Sequence, residues 1–310
     1  MRVKMENLIN LKMGWLRDYP DIRDYTSERD EVDRPLALLG QKDSIKEMLK
    51  KTGVLKTTLK IPVTVDLRTW CSPVEDQLGI GSCTAQAGVG ILEYYERRAY
   101  GKHTDASRLF LYKATRNLLR WTGDTGAFIR STMGAMVLFG VPPEEYWMYT
   151  DRSPDFDNEP PAFCYAFAQN YQAISYYRLD PSGTTKTILL ERIKNYLAAG
   201  LPSMFGFTVY NSMGNAYTTG KIPFPYAGDK ILGGHAVVAV GYDDNMKIKH
   251  PAAGAPEYKG ALLIRNSWGT GWGPLGGYLW LPYQYVLSGL AVDWWSLLRN
   301  EWIDTGHFKV

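Results

Sequence analysis

Apolar residues recur at helical spacing through the first half of this chain and gather into short strand-like blocks in the second. Ser82 offers an N-cap to a predicted helix that runs to about Tyr100 and is stopped by Gly101. Ala87, Ile91 and Tyr95 fall on one face of it, with Leu92 and Tyr94 beside them, so that face is expected to be buried. Two further helical patterns follow: SRLFLYKATRNLLRW, then IRSTMGAMVLFG, which ends at Gly140 before Pro142-Pro143. After a proline-rich acidic loop, DRSPDFDNEPPAF, come YQAISYYRL and one more helix, KTILLERIKNYLAAG, with Gly200 as its stop. The runs PSMFGFTVY, HAVVAVGY, ALLIRNSWG and GYLWL then read as strands, and DWWSLLRNEW as a strand and turn that closes them. The fold class this predicts is α+β with segregated lobes.

Residues 1–60 stand apart. They are rich in charge and poor in periodicity, except for DSIKEMLKKTG, where Asp43 or Ser44 could cap a short helix ended by Gly53. They read as an appended segment that contributes no core. The proline-bearing, extended stretch IPVTVDLRTWCSPVEDQ marks the start of the main domain, residues 61–310. Its helical lobe is expected over about 77–165, and its β-rich lobe over about 166–295 together with a crossing strand at 61–76.

Composition narrows the function by exclusion. The 35 basic and 32 acidic residues are dispersed, giving a net charge of +3 and no basic arm or face, so nucleic acid is not expected as a partner. No apolar run approaches the roughly 18 residues of a membrane span, and MRVKMENLINLKMGW does not read as a secretion signal. A cytoplasmic protein, or one exported without a leader, is the expectation. The three cysteines, Cys71, Cys83 and Cys164, are too few for a disulfide framework or a zinc site. A reduced chain without metal or cofactor follows, with a Cys71–Cys164 bridge as the one alternative.

Cys83 sits where a thiol is most easily activated. A predicted helix N-terminus favours the thiolate through unpaired N–H groups and the macrodipole. Of four histidines, only His235 starts an apolar strand, GGHAVVAVGY, which makes it the candidate base for a thiol nucleophile. In RNSWGTGWG, Asn266 can orient an imidazolium through its side-chain carbonyl, and Trp268 can shield that bond from water. Gln77, six residues before Cys83 across a glycine turn, can donate to a developing oxyanion together with the Cys83 N–H. These four residues supply the parts that acyl transfer by a thiolate needs.

The motifs resemble those of the papain-like cysteine peptidases. IPVTVDLRTWCSPVEDQLGIGSC is similar to that family's approach to its catalytic cysteine, GHAVVAVGYDD to its histidine strand, and RNSWGTGWGPLGGYLWL to its asparagine–tryptophan segment. The likeness spans about residues 61–290, and SRLFLYKATRN and GDTGAFIRSTMGAM resemble prokaryotic members most. It implies two lobes, one helical and one an antiparallel β-barrel-like sheet, with the active site in the cleft between them. It makes Cys83 the nucleophile, His235 the base and later acid, Asn266 the orienter and Gln77 an oxyanion donor. Gly126 and Ala127 would pair with the backbone of a peptide or protein substrate. Phe128, Ile129 and Ala236 would line an apolar pocket for the residue two positions before the cut, flanked by Gly234. Two departures stand out: Thr84 replaces the usual aromatic residue after the cysteine, and Ile80 stands where the family usually has a disulfide cysteine. A transpeptidase or transamidase built on the same acyl-enzyme, and a catalytically silent peptide-binding module, are the alternatives. The resemblance also makes residues 1–60 a candidate pro-segment, which either covers the cleft as an intramolecular inhibitor or packs on the back of the fold.

Overall fold

The computed structural model describes residues 12–56, 61–171 and 175–310. The rest of the amino-terminal extension, and residues 172–174 within the YQAISYYRL run, lie outside the described residues. Among the described residues two short helices come first, α1 (Arg34–Leu38) and α2 (Ile45–Thr52). Ser44 caps α2 in a full capping box with Glu47, and Gly53 ends it in the left-handed conformation, as the sequence predicts. Strand β1 (Thr64–Asp66) leads into the helical lobe: α3 (Cys83–Tyr100), α4 (Arg108–Leu119), α5 (Ile129–Phe139) and α6 (Ala162–Ala168). The β lobe follows with β2 (Ser175–Arg178), α7 (Lys186–Ala198), β3 (Ser203–Tyr210), α8 (Ala216–Thr219), β4 (Ile231–Lys249), β5 (Glu257–Arg265) and β6 (Tyr278–Pro282). It ends with α9 (Gln284–Leu287), β7 (Ala291–Leu298) and α10 (Asn300–Asp304).

The seven strands form one antiparallel sheet in the order β2-β7-β3-β4-β5-β6, with β1 paired to β4. The segregated α+β architecture with two lobes is therefore present, and DWWSLLRNEW does close the sheet, as β7 and the start of α10. Residues 75–77 cross back to the β lobe, where Gln77 N–H donates to Ser267 O (2.9 Å) and Gly269 N–H to Glu75 O (3.0 Å). Helix α3 packs on β4 and carries buried Ile91, Leu92, Tyr94 and Tyr95 into the core between the lobes. Gly101 ends it in the left-handed region, as expected. Its start differs from the expectation: Ser82 makes no side-chain cap, because its hydroxyl is bonded to Tyr149 Oη at 2.7 Å. All three cysteines are free and buried, so Cys71 and Cys164 do not pair.

The amino-terminal extension does contribute to the core, which its charge-rich composition conceals. Ile45, Met48, Leu49 and Val54 are buried, and α2 packs against α10 and β2. Asn300 Oδ1 accepts from the N–H groups of Lys42 (2.8 Å) and Asp43 (3.1 Å), and Val310 N–H donates to Thr52 O. Residues 12–26 take a different course, along the cleft between the lobes. Trp15 N–H donates to Gly234 O (3.1 Å), Leu16 N–H to Ala127 O (3.0 Å), and Ala127 N–H to Gly14 O (2.8 Å). Thr26 then makes a parallel bridge to Arg178 on β2.

Candidate active site

Cys83 is the first residue of α3 and is fully buried. Its Sγ accepts the N–H of Ala236 at 3.4 Å, so the head of α3 meets β4 one residue beyond His235. Burial pushes the thiol up to about 11, against the pull of the N–H groups of Ala236, Gly14, Thr84 and Cys83 itself. The Gly14 contribution comes from the segment lying in the cleft.

His235 stands opposite Phe207 of β3. Its Nε2 lies 2.7 Å from Asn266 Oδ1, and its ring stacks on Trp268 with centroids 4.6 Å apart. The Asn266 carbonyl can only accept, so Nε2 carries the proton and Nδ1 holds the lone pair. That Nδ1 has no hydrogen-bond partner among the described residues. Burial lowers the imidazole to about 4, only partly countered by Asn266. In this closed state both thiol and imidazole are therefore neutral at physiological pH.

Gln77 is buried and its amide is fixed at both ends. Its Oε1 accepts from Ser267 Oγ (2.7 Å), while Nε2 donates to Ile80 O (3.0 Å) and to Lys12 O (2.9 Å). A carbonyl of the cleft segment thus takes up the Gln77 amide donor. On the helical side, Gly126 has φ +71° and a Cβ there would lie 2.3 Å from Gly14 O, so only glycine admits the segment. Asp124, which sequence reading missed, ties this loop to the nucleophile loop: Oδ1 accepts from Gly81 N–H (2.7 Å) and from Tyr112 Oη (2.7 Å). Tyr112 Oη in turn accepts Gly126 N–H. An Asp-Thr-Gly turn gives little warning of such a role.

The structure thus brings Cys83, His235, Asn266, Gln77, Trp268, Gly126, Ala127, Gly234 and Ala236 to one cleft. Ile129 heads α5 and is buried, whereas Phe128 packs on Trp121 with ring centroids 5.6 Å apart. Sequence reading also missed Gly206 and Asp293. Gly206 and Gly234 make room for the Trp15 indole: a Cβ on the first would lie 1.8 Å from Trp15 Cε2, and on the second 2.7 Å from Trp15 Cε3. Trp15 Nε1 donates to Asp293 Oδ2 at 3.1 Å.

Known proteins resemble this chain in sequence and in fold. The model of the papain family cysteine proteases matches residues 61–290. An uncharacterized peptidase C1-like protein of Acanthamoeba polyphaga mimivirus is 35% identical over 228 residues, which cover 72% of this chain and 68% of that protein. Cathepsin K of Gallus gallus is 28% identical over 238 residues, covering 75% of this chain and 62% of that protein. Among solved structures, xylellain, a cysteine protease from Xylella fastidiosa, superposes with a TM-score of 0.69 at 31% identity, covering 94% of this chain and 97% of its own. Its bacterial source fits the expected prokaryotic type. A digestive procathepsin L 3 of Tenebrio molitor shares the fold at a TM-score of 0.58 and 17% identity, over 82% of this chain and 78% of its own. A matched stretch that runs from the strand before Cys83 to the sheet beyond Asn266 means that the chain belongs to the papain family of cysteine proteases and is a cysteine-type peptidase.

Proposed function

We propose that the chain hydrolyses peptide bonds through an acyl-thioester on Cys83, and that residues 12–26 hold it inactive until they leave the cleft. The observation that carries the first part is the meeting of Cys83 Sγ with the Ala236 N–H, one residue from an imidazole already oriented by Asn266. With the cleft open to water, His235 takes the thiol proton and the thiolate attacks the substrate carbonyl. The resulting oxyanion accepts from the Cys83 N–H and Gln77 Nε2. His235 then protonates the leaving amine, and water, deprotonated by the same imidazole, releases the acid and restores the thiol. The aromatic Trp15 side chain seated against Gly206 and Gly234 supports a preference for an apolar or aromatic residue two positions before the cut.

The second part rests on what the segment occupies. It takes up Ala127 N–H and O, Gly234 O and Gln77 Nε2, which are the groups a substrate backbone and an oxyanion would use. It also buries the thiol completely. The test is peptide cleavage by the full chain and by chains carrying Trp15→Ala, with and without Cys83→Ala. Cleavage that rises with Trp15→Ala and vanishes with Cys83→Ala supports both parts. Cleavage that survives Cys83→Ala overturns the first, and no gain from Trp15→Ala overturns the second.

A further inference from the structure

Three glycines meet where the cleft segment passes the nucleophile. Gly14 lies between Gly81, two residues before Cys83, and Gly126: a Cβ on Gly14 would lie 1.7 Å from Gly81 O, and one on Gly126 2.3 Å from Gly14 O. All three cysteines are free, so no disulfide joins the two flanking loops. A single carboxylate oxygen does so instead. Asp124 Oδ1 accepts from Gly81 N–H (2.7 Å) and from Tyr112 Oη (2.7 Å), and Tyr112 Oη accepts from Gly126 N–H (3.0 Å). Burial and the Asp124 charge push the Tyr112 phenol far above its usual range, so it keeps the proton that it donates. The helical-lobe end of this relay is fixed from behind. Gly123 N–H donates to Asp157 Oδ2 (2.6 Å), Gly123 O accepts from Arg116 Nη1 (2.5 Å), and the Arg116 guanidinium lies 4.1 Å from the Tyr112 ring centre. The earlier part of the nucleophile loop is held separately, by Tyr149 Oη on Gln77 O (2.7 Å) and by Asp151 Oδ2 on Gly79 N–H (3.0 Å), which leaves Gly81 to Asp124.

We infer that Asp124 is a positioning residue: through its relay to Gly81 and Gly126 it sets the gap between the nucleophile loop and the loop that carries Ala127, and so places a substrate backbone against Cys83. The inference rests on the reading that a substrate backbone takes the place of residues 12–26 and pairs with Ala127. Both bonds to Asp124 are short and charge-assisted, and they come from buried donors, since Gly81, Gly126 and Tyr112 are all buried. Removing the carboxylate would leave the Gly81 N–H and the Tyr112 hydroxyl to find other acceptors inside the protein, which is costly. Asp124 itself is exposed at the rim, so truncating it opens no cavity in the core. The cost should therefore fall on the spacing of the loops and not on the fold. Spacing matters here because attack needs the reacting atoms at near-contact distance, and a misplacement of about 1 Å can cost on the order of a hundredfold. A small reagent that meets only the thiol escapes that requirement. An extended peptide, which must span both loops, does not.

The test uses the full chain with Trp15→Ala, or with Arg130→Ala should that chain fold poorly, and adds Asp124→Ala, Asp124→Asn or Tyr112→Phe. Turnover is read on a four-residue peptide ester and on the ester of a single acetylated residue with the same leaving group. Labelling of Cys83 by iodoacetamide reports the thiol alone. Binding of the four-residue peptide is read by fluorescence anisotropy on chains that also carry Cys83→Ala. Asp124→Ala is expected to lower kcat/KM for the long ester, and to weaken Kd of the peptide, by roughly ten- to a hundredfold, while the short ester and the labelling rate change by less than about threefold. Asp124→Asn keeps an oxygen that can accept from both donors and should restore most of the loss. Tyr112→Phe should reproduce the loss, and combined with Asp124→Ala should cost no more than the larger single change, because both break one relay. If Asp124→Ala folds poorly, Tyr112→Phe decides alone. An unchanged long ester and peptide Kd, or a fall shared by both esters and the labelling rate, overturns the inference, the second outcome marking Asp124 as a structural support only. The expected loss of peptide binding without turnover of either ester would leave the relay's role standing and overturn the acyl-enzyme on Cys83.

Discussion

The two parts of the amino-terminal extension are held by different physics. Residues 12–26 are held by four backbone hydrogen bonds to the rest of the chain, the Lys12 carbonyl on Gln77, one indole, and ion pairs from Asp18 to Arg130 and from Asp24 to Arg130 and Arg178. Residues 34–56 are held by apolar burial of Ile45, Met48, Leu49 and Val54, continuous with the core. A peptide can replace every contact of the first kind by offering the same groups. Nothing in solution replaces the second, because burial of that size depends on attachment to the chain. The difference teaches where the proposed release would act: on the cleft part, with α2 kept docked against α10.

The largest expected effect isolates the cleft part. Trp15→Ala should speed alkylation of Cys83 by iodoacetamide at pH 6 by on the order of 10²–10³, the factor that corresponds to truncating a buried tryptophan. The pH profile should change with it. In the closed wild-type chain the thiol is neutral up to about 11, so direct labelling is confined to strongly alkaline pH. In the loosened chain an imidazolium-paired thiolate should react from about pH 5 upward. A profile that does not move would mean that the segment leaves the site's electrostatics unaltered.

Next in size, Leu49→Ala should lower stability by about 2–5 kcal/mol in urea unfolding, since Leu49 is fully buried. Its alkylation rate under native conditions should match wild type. Faster labelling in this variant would show that the two parts are coupled and would break the comparison. Gly206→Ala places a methyl group against the Trp15 ring, a clash worth about 1–3 kcal/mol, so labelling should accelerate by roughly ten- to a hundredfold. The smallest change is expected from Arg130→Ala. Arg130 and Asp18 are partly exposed, and buried Asp24 keeps its pair with Arg178, so each lost pair is worth about 0.2–1 kcal/mol and labelling should rise about two- to thirtyfold, with the melting temperature nearly unchanged.

Much of this was legible in the residues. The stops at Gly53, Gly101 and Gly140 fall where the helices end, because a left-handed or otherwise glycine-favouring backbone is a local requirement that the sequence displays. Cys83, His235, Asn266 and Gln77 could be picked out because each needs a particular local setting: a helix start, a strand start, a strand end and a glycine turn. The helix cap at Ser82 was misread because its hydroxyl is engaged by Tyr149, far away in the sequence. The buried face of α2 was hidden for a related reason, since three apolar positions among lysines and a glutamate look like a solvated helix until α10 covers them.

The sequence by itself determined the chemistry, the order of lobes and the nature of the nucleophile, because side-chain reactivity and the periods of helix and strand are properties of short stretches. Only the tertiary structure decided what fills the cleft. Trp15 and Asp293 are 278 positions apart. Their contact exists because a bulge in β7 turns one carboxylate toward a slot cleared by two glycines on other strands. A pattern of apolar and polar letters has no means of encoding that meeting, since the physical cause is the packing of distant backbones and not the preference of any one of them.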